Sequence, residues 1–354
     1  MVIADFQMPD VDGVALLKEV REIDANIIRM IMTEEPGPEA TKALAEADIQ
    51  QIIAKPWDEA ELTEIVRSAF EQTASQEMEM LGLHRIISEI DSLPPVPSVY
   101  AELSEITQDA ENVSAAEVTR VISQDPAIAA KILQIAHSAY FGQQREVATV
   151  SNAVVVLGMG MVENLVLATS VFQTFETGTD SGLDQEGFWK HCLACGMAAS
   201  LLERKITKNR ARAEVAMLAG TLHDLGKLVL AQYMPERYAE VVSMARARRM
   251  MLCDEEEEML GTTHAAVGGY LAEWWNLPSK ISQALSYHHE PQDSAGDTRL
   301  TGFVHLADAI VHRAQIVSSG CGTEPEIDTD LQESLGIDDG LLEAVQEQIV
   351  VAAG

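Results

Sequence analysis

Aromatic side chains are scarce in this sequence. Phe, Trp and Tyr together make up 5% of the 354 residues, whereas apolar residues as a whole make up 47%. A β-sandwich relies on aromatic and β-branched residues, so this composition argues against one. Ala, Leu, Val, Ile and Met are plentiful instead, which favours packed helices. The length is sufficient for two or three domains with buried cores.

Basic residues are also few. There are 24 Lys and Arg against 56 Asp and Glu, which gives a net charge of −32. A field of this sign repels phosphate backbones and anionic membranes. We therefore expect direct binding neither to nucleic acid nor to a membrane surface, and we expect partner proteins to present basic surfaces.

Cysteine is infrequent, with four residues in all. They form no dense disulfide framework, which fits a reducing cytoplasm. Cys192 and Cys195 do form a C-x-x-C. A redox or metal role would need a second pair or a redox fold, so we interpret them as two small side chains packed on a helix.

Long apolar runs are missing too. The longest, from Ala153 to Phe172, contains Glu163 and Asn164, which favours a buried helix over a membrane span. The residues that follow Met1 do not form a signal peptide. These features predict a cytoplasmic protein.

The first 70 residues alternate short apolar segments with helical patterns, which predicts a parallel α/β sheet. We predict strands at Val2–Ala4, Ile27–Met32 and Gln51–Ala54, and helices at Val14–Ile23, Ala40–Ala47 and Glu59–Phe70. The polar residues from Glu71 to Glu79 predict a linker helix. After Leu93 the pattern is helical almost throughout, up to a last short helix from about Leu341 to Val351.

A polar residue follows each of the three predicted strands, where sites form in α/β sheets. Asp5 follows the first strand, Thr33 the second and Lys55 the third. Together they suit a phosphoryl group, with the Asp as acceptor, the Thr hydroxyl bonding a phosphoryl oxygen and the Lys ammonium balancing charge.

The stretch Asp5–Gly13 reads D-x-x-M-P-x-x-D-G. With the later Thr and Lys-Pro, it resembles the receiver domain of bacterial response regulators. The resemblance implies that Asp5 is the phosphoacceptor, Thr33 the switch hydroxyl and Lys55 the site lysine. The backbone carbonyl of Gln7 would be a ligand for Mg²⁺, and a sensor histidine kinase would be the phosphodonor.

The sequence departs from that pattern at its start. A receiver carries an acidic pair for Mg²⁺ at the end of its first strand, but this sequence opens at what corresponds to the third strand. About 50 residues, or two βα units, are missing. We favour a coding sequence that begins upstream of Met1 over a genuine remnant, because a bare central strand is an aggregation hazard. For the chain as given, we expect a weakened Mg²⁺ site and little phosphorylation of Asp5.

Three blocks of the helical region carry a second resemblance. They are Leu93–Pro97, Ile122–Ala127 and Lys131–Gly142. In the second block Asp125 is a helix cap before a Pro, and Gly142 is predicted to end that helix. These blocks resemble the HDOD domain, a helical signalling relative of the HD-superfamily phosphohydrolases, over about Ile86 to His289.

Histidines and aspartates recur in an ordered series through the same region. Imidazole and carboxylate are ligands of transition metals, and ligands on neighbouring helices can converge inside a bundle. The members are His191, His223, Asp224, His264, His288, His289 and Asp308.

In HD-type hydrolases the corresponding residues bind metal. The resemblance implies that His191, His223, Asp224 and Asp308 hold a first ion. Asp224 would bridge to a second ion held by His264, His288 and His289, and Lys227 would bind a phosphate oxygen. Fe, Mn or Zn suits such nitrogen and oxygen ligands.

Two functions remain open. The leading hypothesis is a two-component response regulator whose HDOD domain is a non-enzymatic output module for downstream signalling proteins. The alternative is a metal-dependent phosphohydrolase with a mono- or dinuclear His/Asp site. The G-Y-P loop that follows the double His of cyclic-dinucleotide phosphodiesterases is replaced by Glu290–Gly296, which argues against cyclic di-GMP hydrolysis.

We therefore predict an α+β multidomain chain. A partial flavodoxin-like α/β receiver with three parallel strands spans 1–72, and a linker helix spans 73–85. The HDOD domain spans 86–290, and a helical extension over 291–354 completes the HD-like bundle. The acidic run Asp254–Glu258 is predicted to be a solvated first helical turn, favoured by the helix dipole.

Overall fold

A computed structural model describes residues 1–6, 8, 12–24, 27–34, 49, 51–57, 59–90, 93–107, 113–138, 147–175, 182–294, 298–316, 323, 325 and 327–353. The predictions for Gln7 and for a helix over Ala40–Ala47 lie outside these residues, as does Cys321. The chain divides into two compact units, Met1–Leu81 and Gly82–Gly354.

The amino-terminal unit contains a parallel sheet of three strands, as the alternating pattern predicted. The strands are β1 (Val2–Asp5), β2 (Arg29–Thr33) and β3 (Gln51–Ala54), in the order β1-β2-β3. Successive β2 residues point to opposite faces. Ile31 packs in one apolar cluster with Ala4 and Leu17, and Met30 packs in another with Ile53.

The Asp-Gly pair of the receiver-like motif packs the first helix against β1. Asp12 caps α1 (Gly13–Ile23), and its carboxylate accepts a hydrogen bond of 3.0 Å from the backbone N–H of Val14. A Cβ atom on Gly13 would overlap the carbonyl oxygen of Asp5. Glycine therefore lets α1 begin directly beside the predicted phosphoacceptor.

We expect Gly13→Ala to destabilise the amino-terminal unit by about 1–3 kcal/mol, because the added methyl group forces a backbone shift in a packed contact. Hydrogen exchange of peptides from β1 and β2 should become faster, whereas peptides from the helical unit serve as the internal reference. Gly340→Ala is the matched control, since a Cβ there meets its nearest atom at an ordinary 3.5 Å. Unchanged exchange in β1 would contradict this account of the contact.

A single helix, α2 (Glu59–Glu89), runs through the segment predicted as a linker. The helical unit then contains shorter helices. They are α3 (Ser98–Thr107), α4 (Ala115–Ile122), α5 (Pro126–Ala136), α6 (Val150–Leu157), α7 (Met159–Thr174), α8 (Gln185–Thr207), α9 (Arg210–Leu222), α10 (Leu225–Tyr233), α11 (Pro235–Arg248), α12 (Leu252–Leu260), α13 (His264–Trp274), α14 (Ser279–Ser286), α15 (Thr298–Arg313), α16 (Thr329–Ser334) and α17 (Asp339–Ala353), with a 3₁₀ turn at Pro291–Asp293.

Helix α5 begins where the sequence predicted and ends earlier. The Asp125 carboxylate accepts hydrogen bonds from the N–H groups of Ala127 and Ile128 at 2.8 and 3.1 Å, and Pro126 occupies the first turn. The prediction that Gly142 ends this helix is wrong. The C-cap is His137, because the N–H of Ser138 already bonds back to the carbonyl of Ile135 in a tighter turn.

Helix α8 is the centre of the helical unit. It is buried over most of its length and packs against α9, α15 and α17. Among the described residues, no single helix has both the length and the apolar character of a membrane span. Helices α6 and α7 meet that test only as a pair, and the chain bends by 118° between them.

Candidate metal centre

The seven predicted ligands come from five places in the helical unit and converge in its interior. His191 lies on α8, and the adjacent His223 and Asp224 lie at the junction of α9 with α10. His264 is the first residue of α13, and Asp308 lies within α15. His288 and His289 follow α14.

A close helix contact places Asp224 beside His264. A Cβ atom on Gly226 would overlap the carbonyl oxygen of His264, so glycine is required for α10 to meet the start of α13. Asp224 Oδ1 lies 3.1 Å from His264 Nε2, and its Oδ2 lies 3.3 Å from His223 Nε2. The Asp224 carboxylate therefore faces His223 on one side and His264 on the other.

Two groups of potential ligand atoms lie on either side of Asp224, and a third set, Cys192, His223 and Asp224, overlaps the first at His223. Within the first, Asp308 Oδ1 lies 3.1 Å from His191 Nε2 and 3.6 Å from His223 Nε2. Within the second, His289 Nε2 lies 3.0 Å from His264 Nε2. The first group is His191, Cys195, His223 and Asp308, and the second is His264, His288 and His289.

Burial and mutual charge determine the protonation of this cluster. Asp224 is 1% exposed and Asp308 is 5% exposed. Burial acts to raise the pKa of each carboxyl, but neighbouring cationic groups outweigh it and hold both pKa values well below the usual range. Burial likewise acts to lower the pKa of His223, but the two carboxylates outweigh it and raise that pKa to about 10.

The donor set fits a transition metal. Nδ1 of His223 donates to the carbonyl of Gly220 at 2.8 Å, and Nδ1 of His288 donates to that of Leu285 at 2.7 Å. This directs both Nε2 atoms into the cluster, where neither makes a well-aligned hydrogen bond among the described residues, although an Asp224 oxygen lies 3.3 Å from His223 Nε2 and 3.8 Å from His288 Nε2. Buried polar atoms are nearly always paired, and outer hydrogen bonds of this kind orient metal-binding imidazoles.

Glu256 is a member of the site that sequence reasoning missed. The prediction of a solvated turn over Asp254–Glu258 is wrong for Glu255 and Glu256, which are fully buried, because α12 packs against α11 and α13. Glu256 Oε2 accepts hydrogen bonds from Nδ1 and the backbone N–H of His264 at 2.6 and 2.7 Å. Its Oε1 accepts one from the Tyr238 hydroxyl at 2.7 Å.

Two further residues at the cluster have a spacing signal in the sequence. Cys195 lies one helical turn after His191, and its Sγ is 3.5 Å from His191 Nε2. His312 lies one turn after Asp308, and its Nε2 is 3.5 Å from Asp308 Oδ1. Both follow the i, i+4 rule, which places residues on one helix face. The interpretation of Cys195 as a packed core residue is correct for its burial but omits this contact.

Lys227, predicted to bind phosphate, is 1% exposed and forms an ion pair with Asp224. Its Nζ lies 2.7 Å from Asp224 Oδ2. In this arrangement the ammonium neutralises a carboxylate of the cluster. Phosphate binding by Lys227 stays a prediction.

The predicted receiver residues also lie together. Asp5 ends β1 and forms an ion pair with Lys55, which follows β3. Thr33 ends β2 and is buried, and its backbone carbonyl accepts a hydrogen bond of 2.8 Å from the N–H of Lys55. All three stand at the carboxyl end of the sheet, and their roles in phosphoryl binding stay predictions.

A helical domain with converging histidines and aspartates, preceded by a parallel sheet with an Asp–Lys pair, defines a class of signalling protein. Comparison of the sequence with models of known protein families gives the same result. The HDOD domain matches residues 93–291 and the response regulator receiver domain matches residues 1–67. The chain belongs to the HDOD family and carries a response regulator receiver domain at its amino-terminal side.

Individual relatives are distant. An HDOD domain protein of unknown function from Geobacter sulfurreducens superposes with a TM-score of 0.67 at 22% identity, covering 78% of this chain and 96% of that one, which shows the shared fold. An uncharacterized protein of Treponema pallidum (strain Nichols) is 26% identical over 204 residues, which are 58% of this chain and 39% of that protein.

The hydrogenase transcriptional regulatory protein HoxA of Cupriavidus necator is 35% identical over 97 residues, which are 27% of this chain and 19% of that protein. The chain thus spans less than half the length of the curated relatives it matches.

Proposed function

We propose that this protein is a two-component response regulator whose HDOD domain is a non-enzymatic output module that binds downstream signalling proteins. A sensor histidine kinase would supply the phosphoryl group to Asp5. The observation that carries the proposal is the closure of the histidine cluster. His191, His223 and His264 are fully buried and Asp224 is 1% exposed, whereas His289 is partly exposed.

Closure of this kind argues against turnover of a phosphoester. A hydrolase must bring the phosphorus of its substrate within a few ångströms of the groups that activate water. Here those side chains contact one another, and Lys227, which would neutralise a phosphate oxygen, is paired with Asp224.

The cluster suits Fe, Mn or Zn, and two sets of residues would hold such ions. His191, His223, Asp224 and Asp308 would hold one, and His264, His288 and His289 would hold a second, with Asp224 between them. A bound ion would supply Lewis acidity, and the two ions together would join five segments of the fold. Of the chain's own residues, Glu256 orients His264, and Lys227 pairs with the Asp224 carboxylate for which an incoming ion would compete.

Phosphorylation, the input signal of a response regulator, would act on Asp5, which forms an ion pair with Lys55. Phosphorylation would place added negative charge beside the ammonium and a phosphoryl oxygen near the Thr33 hydroxyl. We infer that the resulting rearrangement passes along α2, whose residues run from the sheet unit into the helical unit. A change in the helix would then alter the surface offered to partner proteins.

The second candidate function, a metal-dependent phosphohydrolase, is favoured by the ligand set alone. Elemental analysis and a phosphodiester assay of the full chain loaded with Fe, Mn or Zn separate the two. We expect the wild type to bind metal but to hydrolyse the phosphodiester no faster than His223→Ala. This variant lacks the imidazole that faces the Asp224 and Asp308 carboxylates. Turnover that disappears in His223→Ala and persists in His84→Ala, an exposed site, would reject the non-enzymatic proposal.

A further inference from the structure

Cys195 presents its sulfur to the first ligand group. The thiol is fully buried on α8, one turn after His191. Its Sγ lies 3.5 Å from His191 Nε2 and 3.8 Å from Asp308 Oδ1. A small core residue would be expected to face apolar atoms, but this one faces an imidazole nitrogen and a carboxylate.

The four atoms lie close enough together to surround one four-coordinate ion. Zn–N, Zn–O and Zn–S bonds of about 2.0–2.3 Å at tetrahedral angles set neighbouring ligand atoms about 3.3–3.6 Å apart. Four of the six separations among His191 Nε2, Cys195 Sγ, His223 Nε2 and Asp308 Oδ1 are 3.1, 3.5, 3.6 and 3.8 Å, close to that range, and all six are below 4.8 Å.

A second observation points to a ligand at the same place. His223 Nε2 is fully buried, belongs to this group and makes no well-aligned hydrogen bond among the described residues. Its other nitrogen is fixed by the Gly220 carbonyl, so the ring cannot turn away without losing that hydrogen bond. The imidazole and the thiol therefore face one volume from α8 and from the α9–α10 junction.

We propose that the Cys195 sulfur takes the place of Asp224 as the fourth ligand of the ion held by His191, His223 and Asp308, which makes the donor set mixed nitrogen, oxygen and sulfur. On ligation the S–H bond breaks, a sulfur–metal bond forms and the proton leaves to solvent. A thiolate favours Zn²⁺ or Fe²⁺ over Mn²⁺, so Cys195 would set the choice of metal. This inference rests on the proposed metal centre and adds its selectivity.

Cobalt(II) tests the proposal, because a thiolate ligand gives a charge-transfer absorption that nitrogen and oxygen ligands do not. The metal-free full chain is loaded with one equivalent of Co²⁺ under reducing conditions. We expect the absorption in the wild type and in Cys253→Ser, and its loss in Cys195→Ser with Co²⁺ still bound by elemental analysis. Dialysis against Zn²⁺ and Mn²⁺ together should show a weaker preference for Zn²⁺ in Cys195→Ser.

A variant in which Cys192, Cys253 and Cys321 are replaced by Ala leaves Cys195 as the one thiol, so the test does not depend on the folding of Cys195→Ser. The absorption should persist in that variant. Bound Co²⁺ without the absorption in the wild type would overturn the thiolate ligand and leave the metal centre standing. Absorption that persists in Cys195→Ser would assign the neighbouring Cys192 as the ligand instead. Failure of the wild type to bind Co²⁺ at all would reject both the thiolate ligand and the metal centre.

Discussion

Replacing Lys227 with Met should destabilise the metal-free protein by about 3 kcal/mol, because breaking a buried ion pair from one side leaves the other charge in a medium that solvates it poorly. Lys227 and Asp224 are each 1% exposed, and their charged atoms are 2.7 Å apart. Methionine keeps most of the length and volume of lysine, so the change in charge dominates the effect. Calorimetric melting of the metal-free full chain measures it.

The same variant should bind a divalent cation more tightly than the wild type. In the wild type the Lys227 ammonium and an incoming cation compete for the Asp224 carboxylate. Without the ammonium, Zn²⁺ supplies the missing positive charge, and binding to the native state alone adds stability by mass action. We therefore expect saturating Zn²⁺ to raise the melting temperature of Lys227→Met by more than that of the wild type.

Lys280→Met provides the control, since Lys280 lies exposed on α14. A surface change of this type is expected to stay within about 0.5 kcal/mol. If Lys227→Met melted like Lys280→Met, the ion pair would not be a structural element of the cluster. If Zn²⁺ raised the melting temperatures of the variant and the wild type equally, the competition between ammonium and metal would be wrong.

Glu256→Ala should weaken both the fold and the metal centre. The substitution removes the acceptor of three buried donors, namely the Tyr238 hydroxyl and the Nδ1 and backbone N–H of His264. Each unsatisfied buried donor costs about 1–3 kcal/mol, so we expect a loss of roughly 4 kcal/mol in the free energy of unfolding. Loss of the carboxylate that orients a metal-binding imidazole is expected to lower metal affinity about 10–100-fold.

Three variants separate the two effects of Glu256. Tyr238→Phe removes one donor from the carboxylate and should cost about 1–2 kcal/mol while leaving Zn²⁺ affinity unchanged. Glu256→Gln keeps an acceptor for His264 but loses the negative charge, so it should lower Zn²⁺ affinity with less loss of stability. Glu257→Ala, an exposed neighbour on α12, should affect neither. Equal Zn²⁺ affinities in titration calorimetry for wild type and Glu256→Ala would rule out a positioning role for Glu256.

Local features of the sequence were sufficient to predict much of the fold. The three strands follow from short apolar segments, and their parallel arrangement follows from the intervening helical patterns. The start of α5 follows from Asp125 and Pro126, because capping depends on residues within one turn. The end of α5 was harder to predict, because its last turn tightens at Ile135–Ser138, before the glycine that the sequence offered as a stop.

The sequence likewise predicted some residues of the candidate site and missed others. The order of His191, His223, Asp224, His264, His288, His289 and Asp308 along the chain named a set of side chains that the structure brings together. Spacing along a helix also carried a signal for Cys195 and His312 that the interpretation of each residue by itself overlooked.

What the sequence determined by itself was the class of the chain: a receiver-like sheet, a helical HDOD domain and the ordered ligands within it. The burial of Glu256, the burial of the Lys227–Asp224 pair and the closure of the cluster were decided only by the tertiary structure. These features arise where α10, α12 and α13 meet, and Asp224 and His264 are 40 positions apart in the sequence. Propensity and periodicity act within a helix, whereas the environment of a charge depends on which helices pack around it.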